Sequence, residues 1–151
     1  MLYNILRHAH SGLRWIVLIL LVAAVVIAIQ RLSAKNSYTD GNRKLYLFAL
    51  IATHLQVTGG LLLYLIPASA GGSPKVNFDL AMDKFYRFYT VEHITTMLIA
   101  AVLVTIGYSR HKRLTDAISK HRMVAIFYGL GLLLILLAIP WPFRVAGAGW
   151  F

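Results

Sequence analysis

Long apolar runs separated by short polar stretches organise the chain. Leu13 to Ile29 is broken only by Arg14 and ends at Gln30 and Arg31. Leu45 to Ile66 is stopped by Pro67, and Ile94 to Tyr108 is preceded by FDLAMDKFYRFY, which keeps an apolar period behind Asp79, a good N-cap. Met123 to Ile139 runs into IPWPF, where Pro140 and Pro142 forbid continuation of a helix. Each run is near the roughly 17 to 25 residues that cross about 30 Å of hydrocarbon at a rise of 1.5 Å per residue. The pattern predicts an all-α protein, an up-down bundle of four transmembrane helices in one domain, with spans at about residues 12–30, 45–66, 84–109 and 122–140.

Short connections set successive helices antiparallel, and the link from Pro67 to about Asp79, rich in Ala, Gly, Ser and Pro, reads as a loop. The Ala24/Ala28 pair, Gly59-Gly60 and Gly129/Gly131 are where helix backbones are expected to approach closely. The first span has a long core, no A-x-A site and a basic loop after it, so it is expected to be retained and not cleaved as a signal peptide.

Composition strengthens the membrane reading, with 59% hydrophobic residues and a mean hydropathy of +0.70. Cysteine is absent, which removes disulfides, thiolate metal sites, iron–sulfur clusters and covalently attached c-type haem. The net charge of +10 does not indicate nucleic acid, because the basic residues lie between apolar spans and form no stripe on a soluble face. Nine Lys/Arg fall in the loops around residues 31–44 and 109–122 and six on the opposite side. The positive-inside rule then predicts both termini on the outer side of a bacterial inner membrane.

Ionisable groups within spans are costly and are functional candidates by default. His54 lies mid-span in ATHLQVTGG, Glu92 and His93 lie in YTVEHITTM, and Arg14 follows His10 by four residues on one helix face. Measured from the basic ends at 1.5 Å per residue, His10 lies about 31 Å up, His93 about 25 Å and His54 about 16 Å. His10 and His93 are therefore within about 6 Å in height, on helices that are diagonal in an up-down bundle. Facing histidines there suit the axial positions of a non-covalent b-type haem, with Arg14 or Arg87 on its propionates. His54 is a substitute ligand or a partner for Glu92. His8, His111 and His121, near loops, are expected at the surface, and Met82, Met97 and Met123 in packing. Ser11 beside His10 has no orienting acid or oxyanion hole, and no phosphate-binding loop is present, so an electron carrier or accessory subunit fits better than a catalyst.

HSGLRW at the start of the first span, EH and GYSRHKR in the third and IPWPFR closing the fourth resemble a family of small four-helix bacterial membrane proteins labelled cytochrome b-like. The resemblance spans about residues 8–144 and implies haem b and electron transfer, with His10, His54 and His93 as the residues that would carry it. A weaker likeness to haem-synthase and copper-resistance membrane proteins points to assembly or metal handling. Two other readings stand beside the haem. One is a non-haem accessory subunit of a larger membrane complex, its helix register fixed by a buried network of Glu92, His93, His54 and Arg14. The other is a proton or metal-ion relay through Glu92, His93 and His54. The partners expected are the lipid bilayer, other membrane subunits and a quinone.

Overall fold

The computed structural model describes residues 2–34, 37–67 and 84–143. Among them there are only helices: α1 (Leu2–Ala34), α2 (Asp40–Leu65), α3 (residues 84–111) and α4 (Ala117–Ala138). The expected N-cap Asp79, Met82, Lys75, Arg144 and the loop beyond Pro67 lie outside the described residues. All four helices contain segments long and apolar enough to cross a membrane. α1 packs on α2 and α4, and α3 packs on α4 and α2, which leaves α1 and α3 facing each other across the diagonal of the bundle.

α1 begins ten residues ahead of the expected span, because nothing between Leu2 and His10 breaks a helix. Its 33 residues reach about 50 Å at 1.5 Å per residue. HAHS therefore lies within α1 and not at its threshold. α2 starts at a full capping box, with the Thr39 hydroxyl accepting from the Asn42 N–H at 3.2 Å and the Asn42 side chain accepting from the Thr39 N–H at 3.0 Å. α4 starts with the Asp116 carboxylate accepting from the Ser119 N–H at 2.7 Å.

The core is small-residue packing around a few large rings. Leu21, Ala24 and Ala28 of α1, Tyr46 and Ala49 of α2, Ala100 and Val104 of α3, and Val124 and Tyr128 of α4 are all fully buried. Ala24 and Ala28 thus stand where close approach was expected, whereas Gly129 has open space beside it. The close α3–α4 contact is made at Gly131, as expected, where a Cβ would meet Val104 Cγ2 at 2.9 Å, and also at Gly107, where it would meet Phe127 Cβ at 2.7 Å. Outward faces carry Ile16, Ile19, Leu55, Leu62, Ile99, Val102 and Leu133, exposed as apolar side chains that face lipid would be.

His111 and His121 depart from the surface positions expected of them. Both are buried in an aromatic cluster at the basic end, because the loops beside them are short and turn their rings inward over Tyr46. His111 Nδ1–H donates to the Tyr108 carbonyl at 2.6 Å and its Nε2 accepts from the Tyr38 hydroxyl at 2.9 Å. His121 Nδ1 pairs with the Tyr46 hydroxyl at 2.8 Å, and the Tyr128 hydroxyl donates to the Tyr46 carbonyl at 2.8 Å. Tyr38, between α1 and α2, is thereby pinned against α3, with the Lys120 ammonium 4.5 Å from its ring centroid.

Two measurements test this packing. Gly107→Ala drives a methyl into Phe127 and should cost about 1–3 kcal/mol, while Gly129→Ala should gain about 0.5–1 kcal/mol; thermal unfolding in detergent separates them, and equal shifts would contradict the contact. Burial, with Tyr108 and Asp40 adding to it and Arg43 opposing, pushes the Tyr38 hydroxyl from 10.0 up to about 12. The unfolded chain then loses this proton first, so stability is full below about pH 10 and falls as pH rises toward about 12. Alkaline titration by tyrosinate absorbance should show one late-ionising group missing in Tyr38→Phe, and an unchanged curve would contradict the burial.

Candidate functional site

At the end away from the basic loops the helices part around a cavity of about 630 Å³, within the range of ligand sites. α1 lines it with Arg7, His10, Ser11 and Arg14, α2 with Thr53, Gln56, Gly60 and Tyr64, α3 with Tyr86, Tyr89, Thr90, His93 and Met97, and α4 with Ile135, followed by Ile139 and Pro140 just past its end.

The closing motif of α4 fixes His93. A helix leaves its last carbonyls without intrahelical donors, and in IPWPF the next donors are removed by chemistry as well as geometry. The helical partner of the Leu136 carbonyl would be the N–H of residue 140, and that of Ala138 the N–H of residue 142, and both are prolines. The Trp141 indole N–H fills the first place at 2.9 Å, and His93 Nδ1–H the second at 2.8 Å. A carbonyl accepts only, so the proton of the neutral imidazole is on Nδ1 and Nε2 keeps its lone pair. Among the described residues the hydrogen bond of the His93 ring is the one its Nδ1–H makes to Ala138.

A π turn aims that ring. Within α3, Lys84–Arg87 is α-helical, Phe88–Glu92 is π-helical and His93–His111 is α-helical again, with the His93 N–H bonded to the Phe88 carbonyl five residues back. The Thr90 hydroxyl takes the Tyr86 carbonyl at 2.8 Å. The wider turn stacks residues five apart, so Arg87 meets Glu92 at 2.7 Å on the outer surface while His93 faces inward. π turns of this kind recur at functional sites.

His10 is held differently. The Gln56 amide nitrogen donates to the His10 carbonyl at 2.9 Å and lies 3.3 Å from His10 Nε2. The ring rests on Gly60, where a Cβ would come within 3.1 Å of Cε1. His10 Nδ1 and Gln56 Oε1 are buried without hydrogen-bond partners among the described residues. Arg14 is 8% exposed, lines the same cavity, and its guanidinium lies 5.5 Å from the Trp15 ring centroid.

Of the six residues singled out from the sequence, the structure gathers His10, Arg14 and His93 and separates the other three. His54 is on the exposed face of α2, its Nδ1–H donating to the Leu50 carbonyl at 2.9 Å and its Nε2 lying 3.2 Å from the Thr105 hydroxyl, so it is no substitute ligand. Its ring lies on the outward face of α2. Arg87 and Glu92, at 47% and 48% side-chain exposure, pair with each other and do not line the cavity. The buried network of Glu92, His93, His54 and Arg14 is therefore not formed, and no group of three metal-binding side chains occurs among the described residues. Arg7, Gln56 and Thr90 join the site unforeseen; Arg7 shares a face with His10 and Arg14 at i, i+3 and i+7, a signal hidden while the helix was taken to start near residue 12.

Compared with models of protein families, with curated proteins and with solved structures, the chain shows no match.

The Arg87–Glu92 pair gives a direct check of this arrangement. Glu92→Gln should cost no more than about 1 kcal/mol in detergent unfolding, as exposed pairs do. A loss of about 3–5 kcal/mol would instead mark a buried ionic network.

Proposed function

We propose that the chain is a multi-pass protein of a bacterial inner membrane that holds a b-type haem in this cavity, and that it passes single electrons between a quinol and a partner subunit. The observation that supports the reading is His93: its tautomer is fixed by the Ala138 carbonyl, and its second nitrogen is left for a ligand in a cavity it shares with His10 and Arg14. A metal-binding histidine needs this kind of support behind it. With no cysteine in the chain, attachment is non-covalent.

The donor set fits the group. Haem in such a site supplies reversible one-electron chemistry. His93 offers a neutral imidazole nitrogen of set orientation. Arg7 and Arg14, one and the same face of α1, offer guanidinium groups suited to two carboxylates. Tyr64, Tyr86 and Tyr89 supply ring surface with polar tips, and Ile135, Ile139 and Met97 exclude water from the floor. The positive-inside rule puts the cavity toward the outer face of the membrane and both termini with it. A relay of protons or ions is disfavoured, since the layer between the cavity and the basic end is built from Leu21, Ala24, Ala28, Val104 and Val124.

The test is the absorption spectrum of detergent-purified protein expressed with haem supplied, oxidised and then reduced with dithionite. Soret and α bands are expected in the wild type and in His54→Ala, and their loss in His93→Ala. A colourless wild type would overturn the haem reading and favour the accessory subunit, whose search would turn to co-purifying partners.

A further inference from the structure

His10 and His93 share the cavity but do not present themselves alike. The edge of the His10 ring that carries both nitrogens is turned to α2: a Cβ on Gly60 would lie 3.1 Å from Cε1, 3.7 Å from Nδ1 and 3.8 Å from Nε2, and one on Gly59 would lie 3.6 Å from Nδ1. A side chain at residue 60 would press on the ring, which would have to give by a few tenths of an ångström. The Gln56 amide then holds it there, reaching the His10 carbonyl at 2.9 Å with Nε2 3.3 Å away. An N–H of that amide directed at Nε2 occupies the lone pair an iron would need, and leaves the ring proton on Nδ1, which is buried against α2. His93 shows the opposite arrangement, with its protonated nitrogen tied to the Ala138 carbonyl and Nε2 without a hydrogen bond among the described residues.

The cavity also has an apolar side. Leu61 of α2 and Leu98 of α3 both line it and are themselves 37% and 41% exposed on the outer surface of the bundle.

We propose, resting on the haem reading above, that the site is one-sided: His93 is the only residue of this chain that would ligate the iron, and the cavity space beside His10 takes a neutral diatomic gas. His10 and Gln56 are positioning residues there. Gln56 keeps the imidazole off the iron, and the imidazole borders the space where the gas binds. A protein of this design senses or handles a gas in the membrane as well as carrying electrons.

Carbon monoxide is the probe, added to the dithionite-reduced holoprotein in detergent, with the spin state of the oxidised protein read by electron paramagnetic resonance before addition. A high-spin oxidised signal and a saturable Soret shift with carbon monoxide are expected in the wild type. His10→Ala should keep the haem bands and the shift, with an affinity change within about tenfold, the scale of one hydrogen bond. Gly60→Ala should press the ring toward the cavity by a few tenths of an ångström and weaken the affinity for carbon monoxide, with the haem bands kept. Low-spin wild type without a shift, together with a shift gained in His10→Ala, would make His10 the second axial ligand and overturn the proposal while the haem reading stands. A wild type that takes up no haem would overturn both, and the absorbance before carbon monoxide is added tells the two failures apart.

Discussion

Backbone carbonyls without donors are the constraint on which the cavity end depends. The end of α4 creates two such groups by placing proline where the helix would have supplied N–H. The chain meets the need with side chains: Trp141 folds back on its own helix, and His93 reaches across from α3. A sequence feature that terminates one helix thus sets the ring orientation of a histidine on another. The same contact locks α3 to α4 in register, and the indole that fills the neighbouring carbonyl packs edge-on against Trp15 of α1 with ring centroids 6.1 Å apart. Three of the four helices are joined through the consequences of two prolines.

The two ends of the bundle solve the packing problem in different ways. Toward the basic loops, alanine and glycine let backbones close up, and the remaining volume is filled by Tyr46, Tyr128, His111 and His121, tied to one another by hydrogen bonds. Toward the other end the helices separate, the π turn replaces one regular turn of α3, and Arg14, Gln56, His10 and His93 face a shared space. Regular packing gains from every buried atom, so a void ringed with polar groups is not what packing alone would select. The π turn lies in this region with the unpaired atoms of His10 and Gln56, while His121 Nε2 at the basic end is also buried without a hydrogen bond among the described residues, so it is the π turn and the polar-lined cavity that set this end apart.

Much of this was legible in the chain before any coordinates. Hydrophobic run length and the prolines gave the four helices, and the rise per residue brought His10 and His93 to one level. The rise per residue says nothing of azimuth. His54 sits within an apolar run like His93 does, yet its ring points outward to Thr105, because the face a residue presents depends on how α2 rolls against its neighbours. The π turn was equally hidden: Arg87 and Glu92 stand five apart, a spacing that pairs no side chains on an α-helix, so their contact was invisible to a 3.6-residue period. His111 and His121 were misjudged because nearness to a loop was taken for exposure, when a short loop between tightly packed helices turns its flanking rings inward.

The histidines then sort by what their nitrogens do. His111 spends both on its own aromatic cluster, and His54 has one on a backbone carbonyl and the other beside a threonine hydroxyl, so each is part of the scaffold that holds the helices. His10 is bound on one edge to α2 and carries a buried nitrogen without a hydrogen-bond partner among the described residues. His93 alone combines a fixed proton, a second nitrogen without a hydrogen bond among the described residues, and a wall of the cavity. An imidazole in an apolar medium is stabilised by using both nitrogens, so one that uses a single nitrogen while facing a void is held for something that enters the void. The difference among these four residues lies in their hydrogen-bond accounts rather than in their positions along the chain, and that difference is why the site is assigned to His93 and its neighbours and not to the other buried rings.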